Sequence, residues 1–338
     1  MRLILAIVAA AALGWTGWWF FVAQAKERAI AAWLDERRAA GWVAEARAID
    51  VGGFPYRIDT TVRGLELANP PAGWAWTAPE FQFVTLAYQP NHLIAIWPRE
   101  QTLATPLGAT AVASDALRGS LVLDPLAGLA LRRSAIEILG LVLAGPGDWE
   151  IGLDSAVLAT RQAEGEGAAP FAHEIALTAE GLAPPEAWVR GLGRARLLAP
   201  VIETAAFDAR ATFDGPWNRA AIETEPPGLL ALDIRDLRLA WGRLDLRGRG
   251  RLAADAHGFA EGRIDLRARH WRAMIDVAEE GGALAPGVAG ALRGGLGLIA
   301  RLSGDRDTLE VPLDFGGGVV RLGPIVLGEA PRMVAPGR

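Results

Sequence analysis

Four histidines, His92, His173, His257 and His270, are the side chains best suited here to ligate a metal or move a proton, and none stands at a ligand spacing such as H-E-x-x-H. His173 falls on the inward phase of an alternating run and His257 in a turn, so core and surface roles fit them better than ligation. A serine hydrolase of the elbow type needs G-x-S-x-G, and a phosphate loop ends in Gly-Lys-Ser or Gly-Lys-Thr; the chain has neither. Ser114, Ser120, Ser134, Ser155 or Ser303 could serve as a nucleophile only if the fold brought a histidine and a carboxylate to it. The carboxylate pairs Glu279-Glu280 and Asp305 with Asp307 fall at a helix end and in a turn, where capping and solvation use them. Gly290 to Gly297 lies inside an expected helix without a strand before it, so it reads as close helix packing rather than a phosphate cradle. The chain has no cysteine, which removes disulfides and thiolate metal sites, and Lys26 is its single lysine, which removes Schiff-base chemistry from everything beyond it. The expectation is a protein that is not an enzyme, with no catalytic residue, no metal site and no cofactor.

One constellation is left. Between Asp236 and Arg269 the chain alternates strictly after a phase slip at Gly242, which is expected to be a bulge. Leu244, Leu246 and Leu252 share one face, and Arg243, Asp245, Arg247, Arg249 and Arg251 share the other. Asp255-Ala256-His257-Gly258 turns the chain, and the return strand sets Ile264, Leu266 and Ala268 opposite Arg263, Asp265, Arg267 and Arg269. Such a hairpin could cradle acyl chains on its apolar face while arginines at the rim grip phosphate or carboxylate groups bidentately. Ile175, Leu177, Leu244, Leu246, Ile264, Leu266, Arg247 and Arg267 are therefore the candidate lipid-binding residues. The plainer reading is a water-facing sheet whose arginines are relieved by Asp245, Asp265 and neighbouring carboxylates.

The elements that would position this hairpin are strands. Phe81 and Phe83, Trp149 to Leu153, Phe171 to Leu177 and Phe207 to Phe213 all alternate with period two. Pro70-Pro71, Pro90-Asn91, Gly145-Pro146-Gly147, Pro184-Pro185, Gly215-Pro216 and Pro226-Pro227 punctuate them as turns of an antiparallel meander. Ala135 to Gly145 is apolar on both faces and is expected to be a fully buried strand, whereas Trp74 and Trp76 are expected in an exposed loop. Trp271 to Glu280 and Val288 to Leu302 read as helices, followed by a strand pair, Leu309 to Phe315 and Val319 to Leu327, around Gly316-Gly317-Gly318. In Gly53-Phe54-Pro55 the glycine permits a turn, the proline starts a strand and Phe54 plugs the sheet end; Gly323-Pro324 is expected to end the last strand likewise.

The amino terminus sets the compartment. Leu3 to Ala25 carries no charge between Arg2 and Lys26, is long enough to span a bilayer, and ends in Trp15, Trp18, Trp19, Phe20 and Phe21, as an interfacial belt would. Ala23-Gln24-Ala25 also fits a signal-peptidase site, but the apolar stretch exceeds a typical signal core and runs into bulky aromatics. Both readings export the remainder: an inner-membrane anchor with the body in the periplasm, or a periplasmic protein if cleaved after Ala25. A net charge of −5 without a basic domain excludes a nucleic-acid partner.

The order and spacing of several short motifs resemble one family. These are the amino-terminal span, Gly53-Phe54-Pro55-Tyr56-Arg57, Gly262-Arg263-Ile264-Asp265-Leu266, Val311-Pro312-Leu313-Asp314-Phe315 and Leu322-Gly323-Pro324-Ile325-Val326-Leu327-Gly328. The chain resembles, over nearly its whole length, the alphaproteobacterial membrane-anchored proteins known only as domain of unknown function 2125. That resemblance transfers no catalytic residue. The strand-and-turn style is also similar to AsmA-like envelope proteins, whose long curved sheets are implicated in lipid handling, a likeness of fold alone.

The expected fold is mainly β (α+β): a long curved antiparallel sheet or a two-sheet sandwich, with an amino-terminal transmembrane helix and a late helical pair. The expected organisation is an anchor or signal sequence over 1–25, a juxtamembrane helix over 26–48 and an elongated β-rich exported domain over 49–338. The expected function is non-enzymatic binding of phospholipid or another hydrophobic molecule on an apolar sheet face, with the membrane as partner through the amino-terminal helix. The alternative is a scaffold that docks envelope proteins.

Overall fold

A computed structural model describes residues 1–165, 167–192, 198–302 and 305–335. Ser303 thus lies outside the described residues. The chain divides into two compact units, Met1–Leu123 with Ile136–Asp148, and Asp124–Ala135 with Trp149–Arg338.

The first unit begins with helix α1 (Arg2–Ala39), a single 38-residue rod that continues from the apolar stretch into the amphipathic segment without a break. Its strands are β1 (Val43–Glu45), β2 (Ala48–Gly52), β3 (Arg57–Asn69), β4 (Trp74–Leu86), β5 (Gln89–Ile96), β6 (Glu100–Thr105), β7 (Gly108–Ala113) and β8 (Ala116–Asp124), with β9 (Ala130–Gly145) from Ile136 onward. The long strand β3 is the backbone of this unit. It takes β2 along its first half and β1 along its second, and pairs over its full length with β4 on its other edge. Leu34 of α1 packs with Ala44, Val62, Leu65, Leu67 and Phe81 over this sheet.

Two expectations are corrected here. Trp74 and Trp76 do not sit in an exposed loop: Asn69 caps a turn confined to Pro70–Ala72 and Gly73, and the strand resumes at Trp74. Both indoles pack against the Leu34 cluster, and Trp76 Nε1 donates to Gln101 Oε1 at 2.7 Å. Strand β9 is half-buried rather than fully buried, with Leu139 51% exposed. Apolar residues on both faces permit a strand to be covered twice but do not supply the second layer.

The second unit is a meander of β10 (Trp149–Gln162), β11 (Ala172–Ala183), β12 (Ile202–Phe213), β13 (Leu229–Trp241), β14 (Leu244–Ala254), β15 (Ala260–Arg269), β16 (Thr308–Gly316), β17 (Val319–Leu322) and β18 (Ile325–Glu329). Each pairs antiparallel with the next. Gly242 is not a bulge: with φ of +57° it opens the two-residue turn between β13 and β14, and its N–H donates to the Glu203 carboxylate. The register shifts fall elsewhere, between Asp208 and Ala209, between Thr212 and Phe213, between Ile234 and Leu237, and between Val320 and Arg321. Gly323-Pro324 does not end the last strand but turns β17 into β18, because proline offers no N–H to continue the ladder.

The helices of this unit are α2 (Glu186–Gly191), α3 (Arg219–Glu223), α4 (Trp271–Glu280) and α5 (Pro286–Leu302). Ala289, Leu292, Leu296 and Ala300 line one side of α5 at helical spacing and pack with Trp271 and Ile275 of α4 onto Leu309 and Val311. Arg293 joins the two helices through ion pairs to Asp276 and Glu279.

Leu292, 3% exposed, should lose about 2–5 kcal/mol on Leu292→Ala, whereas Leu298→Ala, at a site 61% exposed, should stay within about 0.5 kcal/mol. Denaturant unfolding of the detergent-solubilised chain, followed by tryptophan fluorescence, measures both.

Candidate functional site

Because side chains alternate along every strand, the register of the second unit decides which of them share a face. One row across the sheet is Leu158, Leu177, Phe207, Leu237, Gly248, Leu266 and Val311. The adjacent row is Thr160, Ile175, Ala209, Ile234, Gly250, Ile264 and Leu313. Seven strands at a spacing of about 4.8 Å carry each row across about 29 Å. At Gly248 the side chains of Leu266 and Leu237 close over the backbone, so that an added Cβ would meet them at 2.9 and 3.2 Å.

Coverage of the face is unequal. At one end Trp241 and Leu244 are buried with Val189 of α2 and Ala273 of α4, and Leu309 and Val311 lie under α5. At the other end Gln162 and His173 pair across β10 and β11, where a cavity of about 310 Å³ opens. Leu131, Phe171, Pro216 and Trp217 wall it, with Asp124, Gln162 and His173 as its polar members. Between the two ends Ala209 and Ile234 are buried, Ile175, Leu177, Phe207, Leu237, Ile264 and Leu313 are half-buried, and Leu158 is 43% exposed; Leu266, also half-buried, packs against the α4–α5 cluster.

Of the sequence-derived candidates, Ile175, Leu177, Leu246, Ile264 and Leu266 lie together on this face. Leu244 lies on it too, but under the helices at 6% exposure, so it builds the core. Arg247 and Arg267 are cross-strand neighbours on the opposite face. Arg247 pairs with Asp245 at 3.2 Å and Arg267 with Glu310 at 3.6 Å. That face is laced with further pairs: Arg251 with Asp233, Arg263 with Asp314, and Arg210 and Arg235 with Glu174. Burial by itself would raise the Glu174 pKa, but the hydrogen bonds from Arg235 and Arg210 outweigh it and hold the carboxyl below its usual value. Exposed pairs of this kind contribute about 0–1 kcal/mol each, so they neutralise the outer surface more than they hold the fold.

Sequence reasoning missed the cavity. Its walls come from three separated segments, Asp124 to Leu131, Gln162 with Pro170 to His173, and Pro216-Trp217, and a backbone bond from Leu131 N–H to Trp217 O, at 2.6 Å, ties the first to the last. His173 did carry a signal, its inward strand phase. It is 4% exposed, with Nδ1 3.4 Å from Thr160 Oγ1 and its ring edge-on to Phe213. Burial lowers its pKa, so the imidazole is neutral at physiological pH.

The histidine and serine that do meet are in the first unit. His92 Nε2 lies 3.0 Å from Ser120 Oγ between β5 and β8. Among the described residues no carboxylate is bonded to His92, and neither residue lines the cavity. No group of three or more metal-ligating side chains is found among the described residues.

Residues 19–331 match the family described as "Uncharacterized protein conserved in bacteria", domain of unknown function 2125. The chain belongs to this family. No curated protein and no solved structure matches it. As in the family expectation from the sequence, the chain carries one amino-terminal helix long and apolar enough to cross a membrane and a mainly antiparallel β body.

A depressed His173 pKa makes stability complete above the ordinary imidazole value of 6.5 and lost progressively as pH falls below it, because the unfolded chain then binds the extra proton. Thermal melts between about pH 7.5 and pH 5 should show the wild-type midpoint falling, with His173→Gln flattening that part of the decline.

Proposed function

We propose that this family member is a non-enzymatic, membrane-anchored envelope protein that holds a phospholipid or another hydrophobic molecule on the half-open face of its second unit. The observation that carries the reading is that seven strands present contiguous apolar rows which helices cover at one end only. An extended apolar face left to water is unfavourable by about 25 cal/mol per Å² of apolar surface, and a bound acyl chain would relieve it. The cavity beside His173 and Gln162 offers the same ligand a walled end with hydrogen-bonding groups. Arg247 and Arg267 play no part in this reading, since they point away from the apolar rows.

In the same reading α1 holds the protein in the inner membrane with its body in the periplasm. The likeness to AsmA-like proteins fits a sheet that carries lipid through an aqueous compartment, as an analogy of architecture.

Native mass spectrometry with lipid extraction on the body, Lys26 to Arg338, purified without detergent, tests the proposal. Stoichiometric phospholipid is expected, together with its loss from Leu177→Asp and Ile264→Asp variants that keep the wild-type circular dichroism. Leu244 is the wrong place for such a change, because a charge there sits under α2 and α4 and would unfold the sheet end. A folded, lipid-free protein sinks the proposal and leaves the envelope scaffold, to be pursued by partner capture.

A further inference from the structure

The sheet of the first unit is fastened to α1 far down the apolar stretch. Trp15 Nε1 donates to Pro55 O at 3.0 Å, on the turn between β2 and β3, and Trp19 Nε1 donates to Arg57 O at 2.8 Å, at the first residue of β3. Lys26 Nζ donates to Thr85 Oγ1 at 2.6 Å, and Trp19, Ala23, Ile58 and Ala87 form one buried cluster. At about 1.5 Å of rise per residue Trp15 stands about 18 Å from Leu3 and Trp19 about 24 Å, whereas the hydrocarbon core is about 30 Å thick. If Leu3 lies at one boundary of the core, the turn bonded to these indoles lies within the opposite leaflet.

We infer that the turn Gly53–Tyr56, with Tyr88 of the neighbouring β4–β5 turn, is a wedge that seats the end of the first unit's sheet in the lipid bilayer. The inference rests on the anchor reading above.

Two further observations fit a lipid occupant. The side chains presented there are aromatic and uncovered: Phe54 is 48% exposed, Tyr56 69% and Tyr88 64%, beside Phe20 and Phe21 of α1. Phe54 stacks on Phe20 and meets Trp19 edge-on, so the turn extends the helix's own aromatic collar. Four backbone carbonyls at this turn are also engaged, which lowers the cost of a medium that offers no hydrogen bonds. Gly53 O accepts from Arg57 N–H and Tyr56 O from Ala87 N–H, each at 2.9 Å, while Pro55 O and Arg57 O are taken by the two indoles. Gly53, at φ +97°, makes the turn, and Pro55 has no N–H to leave unpaired.

The absence of cysteine makes the test direct. Single substitutions Tyr56→Cys, Tyr88→Cys, Ile7→Cys and Leu107→Cys in the full chain are spin-labelled and reconstituted into vesicles of phosphatidylcholine and phosphatidylglycerol. Collision rates with oxygen and with a water-soluble nickel complex then report depth. Position 107 lies in the β6–β7 turn, 92% exposed, next to Pro106, which adjoins Gly73 at the far end of β3, and serves as the aqueous reference. Position 7 reports on the span itself. The labels at 56 and 88 are expected to favour oxygen several-fold over the label at 107, as is the label at 7, which stands about 6 Å inside the boundary at Leu3. A buried label at 7 with aqueous labels at 56 and 88 overturns the wedge and spares the anchor. An aqueous label at 7 overturns the anchor reading and the wedge with it. Dipolar broadening between copies at 56, without oxygen preference, would assign the patch to a second copy of the chain and also overturn the inference.

Discussion

An apolar sheet face must be covered, and in the second unit this requirement exceeds the helices available to meet it. The strands β10 to β16 place leucine, isoleucine, phenylalanine and small residues in register over seven strands. Helices α2, α4 and α5 bury only the end that contains Trp241, Leu244, Leu309 and Val311. Of the remainder, Ala209, Ala211, Ile234 and Leu252 are buried, while Ile175, Leu177, Phe207, Leu237 and Ile264 stay half-open.

The opposite face solves the converse problem. Its arginines lie directly opposite one another on neighbouring strands, Arg247 with Arg267 and Arg251 with Arg263. Like charges so placed repel, and the carboxylates of Asp233, Asp245, Glu310 and Asp314 relieve them from within the same strands and from the flanking ones. The pattern that first suggested a headgroup grip is thus a neutralised outer surface of modest energetic value. In the function proposed above, hydrogen bonds to a ligand would come from the cavity's polar wall instead.

The first unit organises itself around α1. Its amphipathic half sets Leu34 onto the sheet, and its apolar half accepts the turn between β2 and β3 and the first residue of β3 through two indole N–H groups. Tryptophan suits both tasks, since its ring packs on apolar neighbours while its single donor satisfies a carbonyl. Tethering the sheet to the span in this way fixes the height of the turn along the helix.

Local periodicity alone determined much of this protein. The charge-free run from Leu3 to Ala25, the alternation of Phe171 to Leu177 and of Leu244 to Ala268, and the helical spacing along Pro286–Leu302 all reappear as elements of the expected kind. These are properties of neighbouring residues, and three- to seven-residue patterns encode them directly. Tertiary structure decided what lies over each face. Leu244 and Ile264 lie on the same face, yet one is sealed beneath α2 and α4 and the other is half-open, because helices distant in the chain settle at one end of the sheet. Likewise Gly242 became a turn, Gly323-Pro324 split a strand, and Leu131, His173 and Trp217 came to share a cavity, because register and the meeting of remote segments are set by the pairing of whole strands rather than by any local run.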